Sequence, residues 1–343
     1  MPNQIVTTAL DRVASGADLD AAEAAAVLRE VMEGKASEVE TAGFLAALRT
    51  KGESVEEVVG LARTMRELAR GVEVGNADLL DTAGTGGGRP TYNVSTTAAF
   101  VAAGAGCAVA KHGNRSATGT SGSADVLESL GARIDLEPEA VAECIHSVGF
   151  GFMFAPQHHG AMRYVVPVRK ALGVRTVFNF LGPLTNPAGA TRQLIGVSDG
   201  AHLGTIAAAL GELGGRTALV VSSEDGLDEI SASGPTRAVE LRDGGTRELT
   251  LRPEDCGMDP APADALRAGR PEENAAITRA VLEGRGGPER SVAVINAGAA
   301  LYVAGRAESI REGVGLAEQA IDSGAAAATL ARFVERTREL APR

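Results

Sequence analysis

Three short stretches of the sequence combine residue types that bind phosphate or a divalent cation. The first is a glycine-rich loop, Asp81–Gly88 (DTAGTGGG), followed by Asn93–Thr97 (NVSTT). Glycines allow several backbone N–H groups to turn toward one anion, and the positive end of a following helix adds to the attraction. The loop is not a dinucleotide fingerprint, because the third glycine of GxGxxG would fall on Arg89, and no Gly-Lys-Ser/Thr closes it as in a P-loop. The alternative is a tight strand-to-helix turn in which Ser95 is only an N-cap.

The second stretch, Lys111–Ser116 (KHGNRS), directly follows an apolar run that is typical of a buried strand. It places two cations, an imidazole, an amide and a hydroxyl around one glycine. In open α/β sheets the carboxyl ends of the strands face the ligand crevice. This placement therefore favours an anion site over a solvated polar loop.

The third stretch, Asp225–Glu229 (DGLDE), follows another apolar run and carries adjacent carboxylates. Alone, this stretch would be interpreted as an acidic surface turn. Mg²⁺ takes one or two carboxylates together with substrate phosphates, and two anion-binding loops are predicted in the same sheet. The combination favours a magnesium–polyphosphate site.

Basic residues and histidines elsewhere give a weaker signal. A basic side chain inside the crevice could bind a carboxylate, and an arginine would do so through its planar guanidinium. The candidates are Arg163, Arg169, Lys170 and Arg175. The other histidines show no metal-ligand spacing and are interpreted as structural or exposed: His146, His158, His159 and His202. No nucleophile elbow or Ser-His-Asp order is present, so the sequence predicts no catalytic residue acting as a covalent nucleophile.

The elements that must position these residues alternate from Asp78 onward, which predicts an α/β domain with a largely parallel sheet. The predicted strands are Leu79–Ala83, Cys107–Ala110, Phe150–Phe154, Gln193–Val197 and Ala218–Ser222. The predicted helices between them are Ser95–Ala103, Ser123–Leu130, Pro138–Val148 and His202–Leu213. An Asp-Gly-Gly turn between Thr236–Leu241 and Arg247–Leu251 indicates a β-hairpin, and the tail Pro271–Leu340 is predicted to be helical.

The first seventy residues are predicted to form a small helical domain. Helix starts are marked by three capping boxes, at Asp20/Glu23, Ser37/Glu40 and Ser54/Glu57. Gly34, Gly52 and Gly71 stand where a left-handed residue would end each helix. An apolar stripe comprises Val55, Val58, Val59, Ala62, Met65 and Ala69. Its periodicity leaves open whether this face meets the rest of the chain or a second copy.

Composition excludes several classes of protein. With 33 basic against 44 acidic residues, 3% aromatic residues and no Trp, the chain is a poor nucleic-acid binder. Three cysteines without CxxC spacing (Cys107, Cys144 and Cys256) support neither a disulfide framework nor a zinc site. No signal peptide and no apolar stretch of membrane-spanning length are evident, so a cytoplasmic protein with no membrane partner is expected.

In these motifs the chain resembles the anthranilate phosphoribosyltransferases over nearly its whole length. The resemblance rests on six stretches in this order: Gly84–Gly87, Asn93–Thr96, Lys111–Arg115, Gly122–Glu128, Asn179–Pro187 and Gly226–Ser231. It implies transfer of phosphoribosyl from 5-phosphoribosyl 1-pyrophosphate (PRPP) to the amine of anthranilate, in tryptophan biosynthesis. It also implies Mg²⁺ as cofactor and a homodimer formed through the helical part.

The fold that the resemblance implies is that of the nucleoside phosphorylase-like phosphoribosyltransferases. It comprises a small helical domain, residues 1–75, and a larger α/β domain with a mainly parallel sheet, residues 76–343. A helical segment near 160–180, with a helix around Ala161–Leu172, would join the first domain in space, and the ligand crevice would lie between the domains.

Site residues carry over from the resemblance position by position. On the PRPP side these are Gly84, Gly87, Gly88, Thr91, Asn93, Val94, Ser95, Thr96, Lys111, His112, Gly113, Asn114, Arg115, Ser116, Ala117, Thr118, Gly119 and Ser123. The anthranilate side comprises Gly84, His112, Asn114, Arg169 and Gly182. The magnesium ligands would be Ser95, Asp228 and Glu229.

The sequence departs from the family pattern at Gly88, where Asp is usual, and its loop is one residue shorter between Gly87 and Asn93. Two other functions remain open at this point. A pyrimidine nucleoside phosphorylase would share the architecture but not the Asn179–Pro187 run. A non-catalytic nucleic-acid-binding relative of the fold should be basic and should have lost the acidic pair.

Overall fold

Four helices at the amino end pack into a bundle: α1 (Gln4–Ala14), α2 (Ala21–Met32), α3 (Glu38–Lys51) and α4 (Val55–Glu67). The computed structural model describes residues 1–75, 78–116, 120–262, 266–267 and 269–342. The three predicted capping boxes are present at the starts of α2, α3 and α4. Gly34 and Gly52 have the positive φ angles of helix-terminating glycines, 74° and 92°.

Gly71 does not end a helix, and that prediction was wrong. Helix α4 already ends at Glu67, and Gly71 lacks a positive φ. The backbone on either side of it pairs instead with distant segments: the N–H of Arg70 donates to the His158 carbonyl (2.8 Å), and that of Val72 to the Pro187 carbonyl (3.0 Å). The chain is extended here because it must lead from the bundle to the sheet.

A seven-stranded sheet organises the remainder of the chain, in the order β3-β2-β1-β4-β5-β6-β7. The strands are β1 (Leu79–Gly84), β2 (Ala108–Gly113), β3 (Phe150–Phe154), β4 (Arg192–Gly196), β5 (Thr217–Ser223), β6 (Thr236–Arg242) and β7 (Gly245–Leu251). The first five are parallel, and β6 and β7 add an antiparallel hairpin at the edge of the same sheet. The hairpin turn is Asp243-Gly244, one residue tighter than predicted.

Helices cover both faces of the sheet. They are α5 (Val94–Gly104), α6 (Ser123–Ser129), α7 (Pro138–Val148), α8 (Ala155–His158), α9 (Val166–Leu172), α10 (Phe178–Leu184), α11 (Leu203–Glu212), α12 (Pro271–Leu282), α13 (Pro288–Val303), α14 (Ile310–Asp322) and α15 (Ala325–Leu340). Short 3-10 turns span Gly160–Tyr164 and Gly200–His202. No helix in the described part of the chain is long and apolar enough to cross a membrane.

The bundle packs against the sheet domain through α4, whose apolar stripe meets both α2 and α11. The stripe is therefore covered by the chain itself, which settles what periodicity left open. The predicted helix around Ala161–Leu172 is interrupted: a 3-10 turn at Gly160–Tyr164 precedes α9. Pro167 lies in the first turn of α9, the helical position where the missing N–H of a proline does no harm. The 3-10 turn packs on α2, and α9 packs on α3.

Candidate active site

The ends of β1 and β4 form the floor of the candidate site. From β1 the chain continues outward through β2 and β3 and then returns to β4 on the other side, so these neighbours mark the switch point where ligands bind in open α/β sheets. Gly84 pairs in register with Gly196, and the N–H of Thr85 donates to the Gly196 carbonyl (2.8 Å). A Cβ at Gly196 would overlap the backbone of Asp228, and one at Gly84 would lie 3.2 Å from Asp228 Oδ2. The loop after β5 is thus seated directly on the two strand ends.

Asp228 and Glu229 supply two half-buried carboxylates beside this floor. The N–H of Ser95, in the first turn of α5, donates to Glu229 Oε1 (3.1 Å). Burial, and then the neighbouring Asp228 charge, raise the pKa of Glu229, while Lys111 and the Ser95 N–H act in the opposite direction. Burial also raises the pKa of Asp228, against the nearby charge of Arg175. A divalent cation would favour the ionised form of both carboxyls.

Asp225, the first acidic residue of the same loop, has a structural role. Its carboxylate accepts hydrogen bonds from the hydroxyls of Ser223 (2.6 Å) and Ser231 (2.8 Å). It also forms an ion pair with Arg89 of the glycine-rich loop, at 3.5 Å. These contacts close the turn and fix the backbone that presents Asp228 and Glu229.

Lys111 lies beneath the glycine-rich loop and is almost completely buried. Its ammonium donates to the Thr82 carbonyl and lies 3.3 Å from Ser95 Oγ. Burial lowers its pKa, whereas the charges of Asp81 and Glu229 raise it. This cation joins β2 to β1 and to the start of α5, where the predicted phosphate and metal contacts converge.

Asp81 anchors the segment after α10 to the sheet. Its carboxylate accepts the N–H of His112 (3.2 Å) and the side-chain amide of Asn186 (2.8 Å). That amide also donates to the Ala110 carbonyl (2.8 Å). Burial raises the pKa of Asp81 to about 6, although Lys111 and these hydrogen bonds lower it.

Three of the five predicted anthranilate residues belong to β2 and to helices of the segment 155–184, namely His112, Arg169 and Gly182. His112 is buried, and its Nδ1 lies 3.1 Å from the Gly182 carbonyl. The carbonyl can only accept, so Nδ1 carries the proton and Nε2 is a free acceptor. Burial holds the pKa of His112 well below its usual value, so the ring is neutral. Gly182 faces open space, and the Arg169 guanidinium lies 5.6 Å from the ring centre of Phe178, the first residue of α10.

The loop after β2 contacts α6 more than it contacts the cleft. Asn114 is exposed, and its carbonyl accepts the hydroxyl of Ser123 (3.3 Å). The guanidinium of Arg115 pairs with Asp125 (2.9 Å) and Glu128 on α6, so its side chain is occupied there. Two neighbours are packed closely, since a Cβ at Gly113 would overlap Ser123 Oγ and the N–H of Ser116 donates to Asp125 (3.1 Å). The predicted site residues Ala117, Thr118 and Gly119 lie outside the described residues.

The glycine-rich loop leads into α5 through Asn93, which is the N-terminal flanking residue of the helix. Ser95 is therefore not the N-cap. Of the predicted contacts here, the Val94 side chain belongs to the hydrophobic core, and the hydroxyls of Thr91 and Thr96 are buried with no hydrogen-bond partner among the described residues. Gly88 lies so close to the backbone of Gly226 and Asp228 that the position has no room for a side chain, whereas a Cβ at Gly87 would meet only the guanidinium of Arg175.

Several residues at the site had no predicted role there, or a different one. Arg175, a predicted candidate for clamping a carboxylate, instead reaches the glycine-rich loop, where its Nη2 donates to the Gly86 carbonyl (3.1 Å). Asn274 of α12 donates to Asn93 Oδ1 (3.0 Å), although the two residues are 181 positions apart in the sequence. His159, interpreted as structural or exposed, lies with its ring 5.1 Å from that of His112. Only the fold brings these side chains to the site.

The donor set suits magnesium. Asp228, Glu229 and Ser95 offer hard oxygen atoms, from two half-buried carboxylates and a hydroxyl. Among the described residues no group of three or more His, Cys, Asp or Glu side chains could hold a metal by itself. A cation here would therefore complete its shell with water and substrate oxygens, as Mg²⁺ does in phosphate-handling enzymes.

Comparison with known proteins decides the family. A family described as "Glycosyl transferase family, a/b domain" matches residues 76–327, and "Glycosyl transferase family, helical bundle domain" matches residues 7–69. The chain is 54% identical to an anthranilate phosphoribosyltransferase of Rubrobacter xylanophilus, over 98% of each chain. The chain belongs to the anthranilate phosphoribosyltransferase family.

Solved structures of anthranilate phosphoribosyltransferases share the fold. That from Thermus thermophilus is 47% identical, with a TM-score of 0.91 over 96% of this chain and 99% of the other. That from Saccharomyces cerevisiae, in complex with PRPP and Mg, is 27% identical, with a TM-score of 0.89 over 98% of each. The predicted family and the predicted helical-plus-α/β fold are confirmed.

Proposed function

We propose that the cleft between the strand ends and the segment 155–184 is where phosphoribosyl transfer takes place. The chain transfers the phosphoribosyl group of PRPP to the amine of anthranilate and releases N-(5-phosphoribosyl)anthranilate and pyrophosphate, in tryptophan biosynthesis. The observation that carries the site is the convergence of the glycine-rich loop, Lys111 and the Asp228–Glu229 pair at one switch point of the sheet.

The donor side of the cleft neutralises negative charge. As pyrophosphate leaves, the sugar C1 gains oxocarbenium character and negative charge builds up on the pyrophosphate oxygens. The activation free energy is lowered by positive or hydrogen-bonding groups that are already positioned near these oxygens. The glycine-rich loop offers backbone N–H groups, and Lys111 supplies a buried cation beneath it. Asp228, Glu229 and Ser95 would hold Mg²⁺, which when bound neutralises charge on the pyrophosphate.

The acceptor side positions a nucleophile that is already an amine. Neutral His112 is held by the Gly182 carbonyl with Nε2 free to accept an N–H. Arg169 offers a planar fork for the carboxylate of anthranilate, because its guanidinium is fixed over Phe178 rather than paired with an acid in the described part of the chain. No protein nucleophile is needed, since orientation of two bound substrates suffices.

One assay tests this function. Purified protein is incubated with anthranilate, PRPP and Mg²⁺, and anthranilate fluorescence is followed. We expect loss of fluorescence that requires both PRPP and Mg²⁺, because product formation consumes free anthranilate. No loss of signal under any condition would overturn the assignment. The phosphorylase alternative is tested by replacing anthranilate with a pyrimidine nucleoside and phosphate, for which no turnover is expected.

We also propose a homodimer formed through the helical bundle, in the cytoplasm. In support of the dimer, exposed large apolar side chains gather on α1, α3 and the segment 160–174, namely Ile5, Val39, Tyr164, Val166 and Val174. In support of the compartment, Cys107, Cys144 and Cys256 are free and buried. Sedimentation velocity should give a mass about twice the 35.0 kDa of one chain.

A further inference from the structure

Arg175 stands between α9 and α10, in a turn held on two sides. The carbonyl of Arg175 accepts a hydrogen bond from Nη1 of Arg49, on α3 of the bundle (2.6 Å). The next residue, Thr176, donates its N–H to Asn179 Oδ1 (2.9 Å). The main chain of Arg175 is therefore attached to the helical side of the cleft.

The side chain of Arg175 crosses the cleft to the glycine-rich loop. Its Nη2 donates to the Gly86 carbonyl (3.1 Å), and a Cβ at Gly87 would lie only 2.5 Å from its Nη1. Both glycines have positive φ angles, 65° and 82°. The guanidinium lies against bare backbone that no other residue type would leave in this form.

Two other basic residues near the loop, Arg89 and Lys111, do not duplicate the position of this cation. Arg89, in the loop itself, pairs with Asp225 (3.5 Å). Lys111 lies underneath and is bound to Thr82. Arg175 contacts the loop from the segment 155–184 on the other side of the cleft, and its side chain is exposed. Its charge also acts on the carboxyl of Asp228.

We propose that Arg175 is a positioning residue for the glycine-rich loop, and that it sets the affinity for PRPP without acting on the anthranilate side. This inference rests on the proposed function. A loop of three consecutive glycines has many alternative conformations. Binding of PRPP is weakened by the conformational entropy that the loop loses when it becomes ordered. A charged fork bonded to the Gly86 carbonyl removes many of them before the substrate arrives.

The test compares Arg175→Ala with Arg175→Lys and with Arg163→Ala. Arg163 is a suitable control because it is an exposed arginine of the same segment that stacks on its neighbour Tyr164. For Arg175→Ala we expect the KM for PRPP to rise about tenfold, with kcat and the KM for anthranilate unchanged within about twofold. Arg175→Lys should recover part of the loss, since the ammonium keeps the charge and one donor. Arg163→Ala should match the wild type.

Two measurements without turnover separate positioning from general damage. Titration calorimetry with PRPP, with and without Mg²⁺, should give a Kd raised about tenfold in Arg175→Ala. Hydrogen exchange of the unliganded protein should be faster in the peptide 84–93 and unchanged in the bundle. An unchanged KM and Kd for PRPP, equal losses for both substrates, or unchanged exchange in 84–93 would each overturn the role of Arg175. Inactivity of the wild type would instead overturn the function itself.

Discussion

Gly88→Asp is expected to lower kcat/KM for PRPP, although Asp is the residue that the family usually has at this position. The loop of residues 226–228 lies against Gly88. A Cβ added there would be 2.8 Å from the backbone nitrogen and Oδ1 of Asp228 and 2.9 Å from the Gly226 carbonyl. These distances are shorter than carbon atoms tolerate, and two of the three obstacles are backbone atoms. Any side chain at this position must therefore displace the loop that presents the acidic pair.

The loss of activity expected for Gly88→Asp has a steric and an electrostatic part. Overpacking of a closely packed site costs about 1–3 kcal/mol, or roughly 5- to 150-fold in rate if it falls on the transition state. A second carboxylate about 4 Å from Asp228 adds repulsion of about 4 kcal/mol at an effective dielectric constant of about 20, before any cation offsets it. Gly88→Ala carries the first part alone, and Gly88→Asp carries both.

The assay is kcat/KM for PRPP as a function of Mg²⁺ for the wild type, Gly88→Ala, Gly88→Asp and a control, Gly204→Asp. Gly204 lies on α11 with open space at its Cβ position, so the control adds the same charge without crowding. We expect the wild type and the control to be equally active, Gly88→Ala to be lower, and Gly88→Asp to be lowest and partly restored by excess Mg²⁺. The wild type should show little inhibition by excess Mg²⁺.

The reasoning fails if Gly88→Asp equals or exceeds the wild type at any Mg²⁺ concentration, because the loop would then have made room. It fails equally if Gly88→Ala has full activity. A nearly inactive wild type that Gly88→Asp restores would show that the family's usual Asp is essential here.

Three further outcomes are expected. Arg169→Ala should raise the KM for anthranilate roughly ten- to hundredfold, the loss of a charge-assisted hydrogen bond of about 1.5–3 kcal/mol, and steady-state kinetics should show no change in the KM for PRPP. The double variant Asp228→Asn, Glu229→Gln should lose at least about a hundredfold in turnover at ordinary Mg²⁺ while keeping the wild-type circular dichroism, and near-normal turnover would mean that the pair is only a surface turn. Burial raises the pKa of Asp81 from 3.8 to about 6, so its contribution to stability is present below about pH 4 and lost as the pH rises through 6. Urea unfolding between pH 4 and 7 should therefore show the wild type losing about 3 kcal/mol relative to Asp81→Asn, and a pH-independent difference would contradict the buried, raised pKa.

Local chemistry carried most of the fold prediction. The predicted boundaries of β3 and α7 match those of the structure, because each is a short apolar or amphipathic run between strong breakers. The hairpin was recognised from its Asp-Gly turn, but nothing in that turn shows that β6 pairs antiparallel with β5 and extends the main sheet. Strand order is a property of distant pairings, which hydrophobic periodicity does not encode.

The residues of the candidate site also fall into those that local sequence predicts and those that only distant contacts define. The spacing of the glycines and the two adjacent carboxylates predicted the loops at Gly84 and Asp228, because closely spaced glycines and paired acidic residues after strands are typical of phosphate and metal sites. Arg175 was one of four basic candidates for clamping a carboxylate, and nothing in the sequence indicated that its side chain donates to the Gly86 carbonyl (3.1 Å). Arg115 shows the converse, because this cation of the predicted anion-binding stretch is paired with Asp125 and Glu128 of the following helix α6.

The division of the bundle between two parts of the chain has a consequence for its synthesis. Helices α1–α4 end at residue 67, whereas the 3-10 turn and α9 that pack on α2 and α3 begin at residue 160. At about 5–20 residues per second a ribosome needs roughly 5–20 s to cover that interval. During this time the surface that later receives Val165 and Val168 is open, although the first three strands have already been made. The apolar surface of the nascent bundle therefore stays exposed until the segment that completes it has been synthesised.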